Sequence, residues 1–295
     1  MPDSRRMGIL RKAAAFAGVL LTAAGLAGLA YPFVGEYLTS LQHAKTVAEY
    51  KGDTQEIPED RSESLIQAAV AFNEKMLRHG EIVSLTREEH EEYNSMLAVS
   101  GIGVMGYIEI PKISVTLPIY HGTEEKVLQA GIGHLEGSSL PVGGPGTHVV
   151  LAGHSGLPSS RLFTDLDQMQ EGDRFTVTCV GHTVTYEVGS TEVLKPDEIS
   201  FEIEEGKDLC TLMTCVPVGV NSHRLLIHAR RVPNAPEESE EPVREGMAQA
   251  VTRRIAPYLP AAVPAAILVA AAILYRRKRR RRKMDEREQE SGMGM

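Results

Sequence analysis

The chain has 295 residues, 31 Lys and Arg against 39 Asp and Glu, and a formal net charge of −8. Residues 1–12 carry +3 and residues 276–295 carry +5, which leaves −16 for everything between them. A middle region this acidic argues against nucleic acid as a partner. The length allows one large domain or two small ones.

Taken in order, residues 13–34 form an almost wholly apolar run behind Arg5, Arg6, Arg11 and Lys12. As a helix it would reach about 33 Å, enough to span a bilayer. Gly28-Leu29-Ala30 supplies small residues at the spacing of a signal-peptide cleavage site, but the length of the run favours a retained anchor. Residues 41–100 read as helical and polar. One helix is expected to begin at the Ser64-x-x-Gln67 capping box and stop at Gly80, and a second to begin at Thr86-x-x-Glu89 and bury Tyr93, Met96 and Leu97. Such a segment is a packing layer, a stalk or a cover.

From Met105 the texture changes to short strands. Tyr107–Pro111 and Val115–Ile119 read as a hairpin, 128–133 as a short helix and 137–146 as a Gly/Ser/Pro loop. Strands are then expected at 148–153, 174–179, 183–188, 208–214 and 224–230. Many short strands with few helices predict a mainly β fold, a closed or nearly closed barrel. Residues 233–254 read as a Glu/Pro-rich linker. A second apolar run at 255–275, broken by Pro257, Pro260 and Pro264, precedes a basic octapeptide, 276–283, in the tail 276–295. Both basic flanks lie away from the centre, so both termini are expected in the cytoplasm and residues ~40–250 outside. The octapeptide reads as a stop-transfer flank against anionic lipid rather than a nucleic-acid site.

Three cysteines, Cys179, Cys210 and Cys215, are an odd number for an oxidising compartment, so at least one is free or paired with another chain. Cys179 reads as a packing residue. Cys210 and Cys215 lie five apart on one strand and so face opposite sides. Cys215 stands at a strand end before a turn with Pro217 and Gly219, where reactive groups sit. Spacing alone leaves it open between a packed hydrophobe and a nucleophile. His154 ends another strand between Gly153 and Gly156, and Arg224 begins the strand that returns from the Cys215 turn. Side by side, the two strands would bring thiol and imidazole together, with a guanidinium to stabilise an oxyanion. His134, His148, His182 and His228 read as surface or strand-packing residues.

Thr211-Leu-x-Thr-Cys215 with Arg224 nine residues on resembles the active-site signature of sortases. Leu151-Ala-Gly-His154-x-Gly-Leu-Pro resembles the catalytic-histidine segment of class C, the pilus-assembling sortases of Gram-positive bacteria. Met105–Pro111, Leu117–Gly122 and Gly133–Pro141 resemble the same class. The likeness covers roughly residues 101–231 and implies a catalytic domain over 101–232, an eight-stranded sortase barrel with His154, Cys215 and Arg224 as the catalytic residues. It also implies cleavage of an LPxTG-like signal between Thr and Gly through a Cys215 thioester, and transfer to a pilin lysine amine. No metal or organic cofactor is implied. The expected location is the cell membrane, with the catalytic domain extracellular and transmembrane helices at 13–34 and 255–275. A housekeeping-type sortase that anchors proteins to a peptidoglycan precursor is the alternative, and an inactive tethered binding module a remoter one. The Asp-Pro-aromatic tripeptide of class C lids is missing between Leu41 and Val104, so 41–100 is expected to be a weakly held cover. Val218 stands where many relatives carry tyrosine.

Overall fold

The computed structural model describes residues 3–234 apart from 100 and 102. Three helices come first: α1 (Asp3–Gln55), α2 (Glu59–His79) and α3 (Arg87–Ser95). The strands are β1 (Val104–Ile110), β2 (Val115–His121), β3 (Ile132–His134), β4 (Thr147–Ala152), β5 (Arg174–Cys179), β6 (His182–Leu194), β7 (Asp208–Val216) and β8 (His223–Val232), with a short helix α4 (Glu125–Ala130) between β2 and β3. They close into a barrel in the order β1-β2-β3-β4-β7-β8-β6-β5. The β2–β3 and β4–β7 pairs are parallel and the others antiparallel.

Two local expectations shift. The helix expected from Ser64 begins five residues earlier, because Pro58 sets the boundary and Glu59 and Asp60 suit the positive end of a helix. Gly80 ends it in the left-handed conformation, φ 74°. The helix placed at 128–133 is instead α4 followed by β3, a strand of only three residues. Thr86 and Glu89 form the reciprocal capping box, with Thr86 N donating to Glu89 Oε2 at 2.9 Å.

Residues 13–34 lie within α1, which continues unbroken to Gln55. Among the described residues no helix is long and apolar enough to cross a membrane. The first expected span is therefore not found as a separate element; the apolar run is part of a 53-residue helix whose later residues Val47 and Tyr50 pack against Val104 and Tyr107. The second, 255–275, lies outside the described residues, as do the linker beyond 234 and the basic tail.

The helices after α1 are built into the core. Ala69, Phe72 and Met76 of α2, with Tyr93 and Leu97, share one buried cluster with Ile108, Phe175 and Leu212 inside the barrel. Asn73 adds polar anchorage, donating to Leu140 O at 3.0 Å and accepting from Leu140 N at 2.7 Å. Tyr50 donates to Met105 O and accepts from Val180 N, tying α1 to β1 and to the β5–β6 turn. This packing differs from a weakly held cover, because the apolar faces of these helices complete the barrel's own core.

His134 lies fully buried beside that layer. Its Nε2 faces Ser139 O at 2.8 Å, so that nitrogen carries the proton, and Nδ1 faces the Tyr93 hydroxyl at 3.0 Å. Burial, only partly opposed by the Ser139 bond, pushes the imidazole down to about 4. The unfolded chain would hold this proton below its ordinary value of ~6.5, whereas the fold refuses it until about 4. The unfolded state thus binds more protons in that window, and stability falls as pH drops through it. Burial shifts His43, His121 and His148 in the same direction. Urea unfolding at pH 7 and pH 5 should show a loss of about 2 kcal/mol from His134 alone, removed in a His134→Gln variant that still folds. Identical pH dependence in the two proteins would rule out a neutral, buried His134.

Candidate active site

Two neighbouring parallel strands set the site. The β4–β7 register runs from Thr147 opposite Asp208 to Ala152 opposite Met213. Beyond the last pair the chains stay tied: Gly153 N donates to Met213 O at 3.0 Å, Thr214 Oγ1 donates to Gly153 O at 2.7 Å, and Ser155 Oγ donates to Cys215 O. These bonds grip β7 on both sides of His154, so the histidine is held where β7 delivers Cys215. On the other flank of β7, Cys215 pairs directly with Arg224 of β8. Directly opposed residues of an antiparallel pair present their side chains on one face. Thiol, imidazole and guanidinium therefore come from three adjacent strands at one end of the barrel, as their spacing in the sequence suggests.

Burial separates the three cysteines. All are free, Cys179 and Cys210 are fully buried, and Cys215 is half-buried. Burial raises the thiols of Cys179 and Cys210 far above their ordinary range, which keeps both inert. Cys210 belongs to the core cluster, while Cys215, an odd number of residues further along the strand, faces the other way. Of the other histidines, His148 is buried with Nε2 2.8 Å from Thr211 Oγ1, and Thr211 is 3.0 Å from His228 Nδ1. They pack the outer face of the same strands rather than join the site.

Arg224 Nη1 donates to the carbonyls of Asn221 and His223, both at 3.1 Å, so the guanidinium braces the β7–β8 turn from which it rises. Val218 in that turn is exposed, and a methyl group added at Gly156 would collide with its Cγ1. The loops after His154 and after Cys215 thus touch, and a glycine is needed where they do, at φ 73°.

The loop after His154 has further anchors. Phe163 N donates to His154 O at 3.1 Å and Gly156 N to Thr164 Oγ1 at 3.0 Å. Arg161 pairs with Asp165 and lies 3.6 Å from Glu36 of α1, while Gly35 of α1 packs against Ser159. Sequence reasoning passed over Ser155 and Glu125. The second lies on α4 with Oε1 3.4 Å from His154 Nε2. An ordinary serine and one of two adjacent glutamates give no local signal of such placement.

A family model described as the sortase domain matches residues 108–232. Over 131 residues the chain is 31% identical to sortase D of Bacillus subtilis, covering 43% of this chain and 63% of that protein. It thus spans less than two thirds of that relative's length. The crystal structure of sortase C1 from Streptococcus agalactiae superposes with a TM-score of 0.62 and 47% identity, over 65% of this chain and 100% of that one. Sortase C of Streptococcus pneumoniae, whose structure is described as bearing on catalysis and pilin substrate specificity, gives 0.59 and 36%, over 65% and 99%.

Proposed function

Since this chain belongs to the sortase family, we propose that it is a class C cysteine transpeptidase that joins pilin subunits. The observation that carries the reading is the direct pairing of Cys215 with Arg224 beside a histidine gripped against the same strand. The Cys215 thiolate attacks the Thr carbonyl carbon of an LPxTG-like sorting signal. The tetrahedral oxyanion forms beside Arg224, whose charge stabilises it. The Thr–Gly bond breaks, His154 gives its proton to the departing glycine amine, and a thioester remains on Cys215. A lysine amine of a second subunit then attacks the thioester carbonyl and gives a proton to His154. An isopeptide bond forms and the thiolate is released.

The membrane part of the proposal rests on α1. Phe16, Val19, Leu20, Leu21, Tyr31 and Val34 are exposed along it, and Arg5, Arg6, Arg11 and Lys12 precede the apolar run. Such a helix end suits a bilayer with its basic flank in the cytoplasm of a Gram-positive cell and the barrel outside. The run at 255–275 would add a second tether, holding the acyl-enzyme near membrane-bound subunits and raising their effective concentration.

Deleting the gene from its host tests the reading. The ladder of high-mass pilin species should vanish while monomeric LPxTG proteins stay attached to the wall. Persisting ladders together with loss of many unrelated wall proteins would identify a housekeeping sortase instead.

A further inference from the structure

His154 has two ring nitrogens, and the structure treats them differently. Nε2 is buried and lacks a hydrogen-bond partner among the described residues. The group facing it is the carboxylate of Glu125, with Oε1 at 3.4 Å, near enough for an ion pair but short of hydrogen-bond geometry. Catalytic contacts are often long in the unliganded state and tighten when substrate is bound.

The Glu125 side chain is 69% exposed, and its carboxylate is oriented by contacts within α4. Glu125 opens α4, and Gln129, one turn on, donates to the same Oε1 at 2.8 Å. The other end of α4 is fixed as well: buried His43 of α1 bonds the backbone of Ala130, and Gly131 sits too close to Pro118 O and the Tyr120 ring to admit a methyl group. Glu125 thus reaches His154 from an α4 that is anchored beyond its far end.

We propose that Glu125 is a positioning residue for His154, accepting the Nε2 proton and so leaving Nδ1 as the nitrogen that exchanges protons with substrate. A nucleophile, a base and a third group that orients the base form a recurrent arrangement, and the third group fixes which tautomer the imidazole adopts. With the Nε2–H held on Glu125, Nδ1 carries a lone pair when His154 accepts a proton from the incoming amine. It carries that proton when His154 serves the departing one. Glu125 itself exchanges no proton with substrate in either step. This inference rests on the transpeptidase reading.

The test uses the full chain and a fluorogenic peptide containing an LPxTG sorting signal. Glu125→Gln keeps the side chain's size but lacks the negative charge, and should lower kcat about tenfold with KM within about twofold, since the contact acts on the proton-transfer steps and not on binding. Glu125→Asp should recover part of the loss. Gln129→Ala, which keeps the charge and frees its orientation, should cost less than Glu125→Gln in the same direction. Glu124→Gln, the neighbouring charge, should match wild type. Wild-type kcat in Glu125→Gln, a loss confined to KM, or an equal loss in Glu124→Gln would each overturn the proposal. If the wild-type chain cleaves the peptide, Cys215→Ala does not, and Glu125→Gln cleaves as fast as wild type, the transpeptidase reading stands and only the role of Glu125 falls.

Discussion

Cys215→Ala should abolish peptide cleavage and transpeptidation and leave the protein folded. The side chain is half-buried at the outer end of β7, outside the core cluster, so truncating it opens no interior cavity. Its loss removes the only sulfur among the three thiols that a substrate carbonyl can reach, since Cys179 and Cys210 are fully buried. Cys179→Ala should accordingly keep activity. His154→Ala and Arg224→Ala should each lose roughly 10²–10⁴-fold in kcat/KM, the range for a removed general acid–base or oxyanion group. Labelling with a methanethiosulfonate provides an independent readout: one adduct on the native protein and none on Cys215→Ala. An active Cys215→Ala enzyme would end the sortase reading. A native protein labelled at Cys179 or Cys210 would show that burial does not protect them.

The placement of His154, Cys215 and Arg224 was legible because each stands at a strand boundary that the sequence marks with glycine or proline. Apolar runs ending in Gly153-His154 and Thr214-Cys215 predict strands that finish together, and β4 and β7 do run parallel in that register. The turn with Pro217 and Gly219 predicts an antiparallel return, which brings Arg224 opposite Cys215. Strand β3 was missed for a physical reason. Three residues cannot display alternation, and Ile132–His134 is strand only because β2 and β4 lie on either side. The N-terminus of α2 was misplaced because Ser64-x-x-Gln67 satisfies the capping pattern, while Pro58 and two acidic residues fix the real start. Glu125 and Ser155 gain their meaning from distances across the fold, from α4 to the end of β4 and from that end to β7. No local pattern records such distances. The relation of α2 and α3 to the barrel was the largest gap. Amphipathic helices announce that one face is buried but not whether that face closes a site or completes a core.

The difference has a consequence that labelling can read. Deleting residues 41–100 should unfold the barrel rather than uncover the active site. Phe72, Met76, Tyr93 and Leu97 are each at most 1% exposed within the barrel's own core cluster. Burying a large apolar side chain contributes about 1.5–3 kcal/mol. Four such side chains amount to a substantial part of the ~5–15 kcal/mol by which a domain is stable. The deletion also strips Leu140 of its two bonds to Asn73, and Met105 O and Val180 N of their shared partner Tyr50. It removes the backbone bonds from Gly80 and Ile82 that hold Phe201 and Ile203, in the segment connecting β6 to β7. Opening a cover would speed methanethiosulfonate labelling of Cys215 alone. Loss of the core would expose Cys179 and Cys210 too, so the shortened chain should take up three labels and show no cooperative thermal transition. Asn73→Ala is the milder companion: it should keep the fold and a single label while costing about 1–3 kcal/mol, the penalty for leaving buried partners unmatched. A truncated chain that melts cooperatively and labels faster only at Cys215 would restore the view of residues 41–100 as a detachable cover.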